Sequence, residues 1–216
     1  MSEHVLNLLG MAGSGIVILA IFYTAWIYRG KNLQRYSILN HFISELGEVG
    51  ISKGALLFNV SLVIGGILLL PFIVHLGLLY KSILGWLGVV AGIVTAGGVT
   101  AVGFFPMNNL KPHGHAAMAF FRGGLLMVLF FGLAILFQPA GEVVVPRETS
   151  ILSLVALASF GSFLYLLTSK KDSKQEESLD PEFLPERPRF WILPFLEWLV
   201  FFSTIFWLLG LALLTL

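Results

Sequence analysis

Six long apolar runs dictate what this chain can become. They cover roughly Val5–Tyr28, Ala55–Leu79, Ile83–Phe105, Ala116–Phe137, Ile151–Thr168 and Trp191–Leu216. Each approaches the ~20 helical residues needed to cross a hydrocarbon core. In that medium a backbone must satisfy its own N–H and C=O groups, so a spanning segment is a helix or part of a closed barrel. Barrel strands alternate apolar and polar residues, whereas these runs are continuous. The expected fold is therefore all-α: a six-transmembrane-helix bundle forming a single integral membrane domain over residues 1–216. Composition supports the same solvent. The chain is 57% hydrophobic and 12% charged, about half the charged share of a soluble domain. The start, "MSEHVLNLLG", lacks a basic n-region and is read as a retained anchor.

Basic residues set the expected topology. The loops joining helices one–two, three–four and five–six hold Arg29, Lys31, Arg35, Lys53, Lys111, Lys170, Lys171, Lys174, Arg187 and Arg189, against Lys81 and Arg147 on the other side. Positive charge stays inside, so loops 29–54, 106–115 and 168–190 are expected in the cytoplasm and both termini outside the cell membrane. Net charge is +1 and Cys is absent. Nucleic acid is thus not an expected partner, membrane lipids are, and disulfide and thiolate chemistry are excluded. Gly88, Gly92 and Ala96, Gly10 with Ser14, and Ser61 with Gly65 stand at four-residue spacing, which lets helices of one bundle approach closely. Trp26, Tyr28, Tyr80, Trp86, Trp191 and Trp198 fall near helix ends, as an interfacial belt does.

Two charges lie at membrane depth. Arg122 in helix four and Glu197 in helix six each sit about six residues from the same end, on the order of 9 Å inward. Unpaired in lipid, each would cost several kcal/mol. They are expected either to lock two helices together or to form a site in which Arg122 meets an anion such as a lipid phosphate and Glu197 is its counter-charge. Asn59 and Thr100 share that layer, and His115 lies on the Arg122 face one layer shallower.

The loop "YSILNHFISELGEVG" repeats Ile38, Leu39, Phe42, Ile43 and Leu46 at helical spacing, with His41, Ser44, Glu45 and Glu48 opposite. This predicts a short amphipathic interfacial helix before helix two, its polar side toward the cytoplasm or the bundle mouth, with Ser52 capping helix two. Ser44 and Glu45 are assigned to the bundle and Glu48 to water. In "FFPMNNLKPHGHAAMAFFR", His113 and His115 open helix four. His41, Glu45, His113 and His115 carry the donor types of a zinc site, with Ser44 beside them, but no spacing matches a zinc signature such as HExxH. Interfacial hydrogen bonding and head-group binding are the competing roles.

"ISELG" followed by "ALLFNVSLVIGG", then "VGFFP" with "HGHAAMAFF" and a last helix containing "EW", resembles the prokaryotic membrane family of domain of unknown function 998. Ser44, Glu45, Gly47, Asn59, Phe105, Pro106 and His115 carry the resemblance, which covers nearly the whole chain. The "ISELG…FN" part is more distantly similar to the Frag/DRAM/Sfk group of six-helix membrane proteins, which has Asp where this chain has Glu45. That likeness implies a lipid-linked role. Ceramidase-like seven-helix hydrolases differ: this chain has no intramembrane Asp, one helix fewer, and no His pair on the last helix.

The leading expectation is a membrane protein binding a lipid or lipid-like head group in a cytoplasmic-side polar cleft. Its lining would be Arg122, Glu197, His115, His113, His41, Ser44, Glu45 and Asn59. The alternatives are a lipid hydrolase or transferase using His or metal-bound water, and an assembly partner without a ligand. A secondary transporter is disfavoured by the lack of an internal repeat.

Overall fold

A computed structural model describes residues 2–30, 33–169 and 187–216. Six helices are present: α1 (Glu3–Ile27), α2 (Ala55–Tyr80), α3 (Ile83–Phe104), α4 (Leu110–Leu136), α5 (Ser150–Ser169) and α6 (Ile192–Leu214). All six are long and apolar enough to cross a membrane. The described residues thus form the expected six-helix membrane bundle, and the chain is a multi-pass protein. Only α4 departs clearly from its expected start, beginning six residues earlier. Pro112 falls in its first turn, where the missing N–H would have had no helical partner anyway. The expectations for Lys31 and for the Lys-rich start of the last loop lie outside the described residues.

Each helix packs on its neighbours in sequence, and α1 also packs on α6, so the bundle closes into a ring. A polar clasp joins the first helix to the last. Asn7 Nδ2 donates to the Thr215 carbonyl at 2.6 Å, and Thr215 Oγ1 donates to Asn7 Oδ1 at 3.2 Å. Polar side chains hold helices together in this way where lipid offers no hydrogen bonds. At the opposite end three connections meet. Trp191 N–H donates to the Leu39 carbonyl, and Asn108 pairs with the backbone of Val49 in both directions.

The small residues serve packing inside the ring. Gly88 lies against the Phe131 ring, Gly92 against Ile73 and Met127, Gly10 against Phe72, and Gly65 against Val17. The larger core gathers Phe72, Leu76, Met127, Phe131, Phe160 and Trp207. A smaller core, built on Ile21, Tyr28, Leu46, Phe58 and Trp198, seals the end where the three connections meet. The expected aromatic belt divides. Trp26 and Trp86 are exposed, whereas Tyr28, Tyr80, Trp191 and Trp198 are buried. Position near a helix end does not tell an outward ring from an inward one.

Candidate functional site

The loop between α1 and α2 forms a cap over one end of the bundle. Tyr36 donates its hydroxyl hydrogen bonds to the carbonyls of His41 (3.2 Å) and Phe42 (2.9 Å), and Trp198 Nε1 donates to the Tyr36 oxygen and to the His41 carbonyl. The His41 carbonyl is then unavailable to the Glu45 N–H, which turns to Phe42 instead at 3.2 Å. That i→i+3 closure is the 3₁₀ pattern. The expected amphipathic helix is accordingly a five-residue 3₁₀ segment, Ile43–Gly47. Ile38 and Leu39 are exposed while His41 and Glu45 are buried, so the acidic and imidazole groups point into the bundle mouth. Ser44 and Glu48 are half-buried. Ser52 does not cap α2, which begins after Gly54, and its hydroxyl has no partner.

Glu45, 3% exposed, is the acid of the cap. Its carboxylate accepts the Phe42 N–H at 2.8 Å and both Arg187 guanidinium bonds, at 2.9 and 3.0 Å. Arg187 also donates to the Asn40 carbonyl, and Asn40 Nδ2 donates to the Pro188 carbonyl. Residues just before α6 are thus buckled onto the first loop. Burial raises the Glu45 carboxyl above its ordinary value despite the Arg187 cation and the hydrogen bonds. His41 sits among the rings of Tyr28 and Tyr36, with Nδ1 2.8 Å from Asn40 Oδ1. Burial, helped by the nearby Arg187 cation, lowers it to about 4.

A group whose folded pKa is depressed contributes stability above its unfolded pKa and loses it as pH falls toward the folded value. For His41 the window runs from an unfolded value near 6.5 down to about 4. The cap should therefore lose about 2 kcal/mol by pH 5 through this residue. Thermal melts of His41→Phe and wild type in detergent at about pH 7.5 and about pH 5 check this. An equal acid loss in both proteins would remove His41 as the cause.

Below the cap, α6 contributes Glu197. Its Oε2 accepts the Ile43 N–H at 2.6 Å, which satisfies a free donor at the start of the 3₁₀ segment. Glu197 lines a cavity of about 130 Å³ walled by α1, α2, α3, α4, α6 and the 3₁₀ segment. The wall is chiefly apolar, with Val17, Phe58, Leu62, Val102, Phe120 and Phe201 prominent. Its polar groups are Glu197, Ser44, His113, Ser14 and Thr204. His113 Nδ1 donates to the Phe105 carbonyl at 2.8 Å, which leaves Nε2 as an acceptor in the neutral ring. Asn59 Nδ2 donates to the Gly47 carbonyl at 3.0 Å and pins the 3₁₀ segment to α2.

The structure separates residues that counting along helices had placed together. Arg122 is exposed on α4 and has no acidic partner among the described residues. Glu197 pairs with a backbone N–H instead, and its ionic neighbour in the cap is Glu45, not Arg122. The earlier start of α4 puts Arg122 twelve residues into its helix, against five for Glu197 in α6, so the two differ in depth as well as in direction around the axis. Thr100, expected in the same layer, hydrogen-bonds back to the Ala96 carbonyl. His115 is exposed, whereas His113 enters the cavity wall. His41, Glu45, His113 and His115 do not gather: among the described residues no three His, Asp or Glu side chains form a metal-binding group. Arg187, Tyr36 and Trp198 were not foreseen as site residues. The signal for Arg187 was a buried loop carboxylate that needed a cation.

The model of a family described as a protein of unknown function (DUF998) matches residues 16–214. The chain belongs to this family. The match takes in the whole cap and the cavity wall apart from Ser14. No curated protein and no solved structure matches the chain. The structure gives physical roles to the residues that carried the DUF998 resemblance. Glu45 binds Arg187, the Gly47 carbonyl receives Asn59, and the Phe105 carbonyl receives His113. A side chain at Gly47 would strike Asn59 Oδ1 and the Phe58 ring, so this DUF998 protein keeps glycine where the cap meets α2.

Proposed function

We propose that this DUF998 protein binds a lipid or lipid-like amphiphile in the cavity below the cap. Its polar end lies by Glu197, Ser44 and His113, and the part of its apolar body that enters the cavity runs along the walls of α1 and α6. The observation that carries this reading is an apolar cavity holding one carboxylate with spare acceptor capacity. A carboxyl group carries several acceptor lone pairs, and the Ile43 N–H occupies one of them. Among the described residues no Lys or Arg lines the cavity, so the polar end that fits is a hydrogen-bond donor, a hydroxyl or an amine. Arg122, outside the cavity, has no part in it. The basic bias of the three connections supports a cytoplasmic position for this end of the bundle under the positive-inside rule.

Filling the cavity tests the proposal. Ala117 lies in its wall, and Ala117→Phe puts a ring into the space. Wild-type protein purified in mild detergent should retain an amphiphile through repeated washing, read by mass spectrometry of the extracted lipids. The variant should melt cooperatively and retain on the order of tenfold less, the effect of about 1.4 kcal/mol. Equal retention by both proteins would sink the cavity as the binding site.

A further inference from the structure

Several hydroxyls of the spanning helices are satisfied inside the bundle. Ser61, Thr95, Thr100, Ser159 and Ser203 each donate to a carbonyl one turn back along their own helix. Ser153 accepts the indole N–H of Trp207. In hydrocarbon such bonds are how a hydroxyl is satisfied. Ser14 of α1 and Thr204 of α6 do otherwise. They are 1% and 6% exposed, neither oxygen has a partner, and both line the cavity. The hydroxyls of Thr24 and Tyr80 also lack a partner but are outside that lining; Thr24 packs on Gly54.

Position gives these two hydroxyls a common meaning. Thr204 is seven residues beyond Glu197 on α6, which is two turns or about 10 Å further along the helix. Ser14 comes to the same cavity from α1, which packs on α6. Phe201 stands between the two levels on α6 and keeps the intervening wall apolar. The cavity therefore has a polar station at Glu197 and a second one deeper in the bundle. We infer that the ligand carries a second oxygen partway along its apolar body, held by the hydroxyls of Ser14 and Thr204. A hydroxyl both donates and accepts, so an alcohol, ether or carbonyl oxygen fits this station. This inference rests on the lipid-binding reading and narrows its ligand to an amphiphile with two spaced polar groups. A trapped water is the competing occupant, since a polar pair in a cavity can hold one.

Two probes decide the matter: a saturated fatty alcohol, and the same alcohol bearing a second hydroxyl about 10 Å along its chain. Binding to the purified protein in detergent is read by native mass spectrometry or thermal shift. The diol should bind on the order of tenfold more tightly, the effect of one or two net hydrogen bonds. In the Ser14→Ala/Thr204→Val double variant that ratio should fall to about one. Ser159→Ala, whose hydroxyl bonds back within α5, should keep it. If wild type binds both probes alike, water fills the station and the inference is overturned while the cavity reading stands. If wild type binds neither probe, the cavity reading itself fails. A preference that survives in the double variant would remove Ser14 and Thr204 as its source. Should the double variant not fold, the wild-type comparison still decides.

Discussion

Arg187→Met should destabilise the cap by about 3–5 kcal/mol, the cost of leaving a buried charge without its partner. The Glu45 carboxylate would keep the Phe42 N–H but lose both guanidinium bonds. At 3% exposure it has little access to water in exchange. The sign of the pH dependence separates this account from a simple packing loss. Arg187 holds the Glu45 carboxyl down against burial, so removing it raises that pKa further. An acid whose folded pKa is raised contributes stability below its unfolded pKa and loses it as pH rises through the folded value. The variant's defect should therefore be largest on the alkaline side and shrink toward acid. Loss of the same cation lifts a lowering influence on His41, which acts in the same direction. Glu45→Gln/Arg187→Met should recover much of the loss, because a neutral amide needs no cation. Thermal melts across pH decide: a single variant as stable as wild type in alkali, or a double variant no better than the single, is incompatible with a buried ion pair holding the cap.

The next largest effect is expected where two helix backbones touch. Gly98→Leu should cost more than about 3 kcal/mol, at or beyond the usual range for overpacking. A Cβ at Gly98 would stand 2.5 Å from the backbone nitrogen of Phe120 and 3.0 Å from the Ala116 carbonyl oxygen. Backbone cannot swing aside as a side chain can, so α3 and α4 must separate. The adjoining glycine is the control. A Cβ at Gly97 meets nothing within 4 Å and points outward. Gly97→Leu should leave the protein close to wild type and add helix propensity. Melting curves of the two variants in one detergent give the comparison. Similar losses from both would mean that helix propensity or expression, not the α3–α4 contact, governs the response.

These two sites show what sequence can and cannot disclose in a membrane protein. The spans were legible because a ~20-residue apolar run has few alternatives in lipid. The small residues of α3 were legible as packing residues, but not that Gly98 lies against the α4 backbone while Gly97 meets nothing. Which face of a helix turns inward depends on partners elsewhere in the chain. Arg122 and Glu197 failed as a pair because α4 starts at Leu110, which puts Arg122 twelve residues into its helix against five for Glu197, and because Arg122 faces outward. In the first loop the apolar spacing was compatible with an α-helix. What altered it was Tyr36 and Trp198 taking the His41 carbonyl, and Trp198 is 157 residues from His41. The assignment of Glu45 to the bundle held because a motif acid flanked by apolar residues had somewhere to go; its partner, across an unrelated loop, could not be read from its own neighbourhood.

The closed ring also imposes an order of events on synthesis. Chains leave the ribosome N-terminus first, so α1 and the cap loop enter the membrane system while α6 is still untranslated. Until then Ile43 has no Glu197, Glu45 has no Arg187, and the cavity lacks the wall that carries Thr204. The last helix is therefore the keystone of assembly. A chain stalled before it would have an open seam between α1 and α5 and a Glu45 carboxylate without its Arg187.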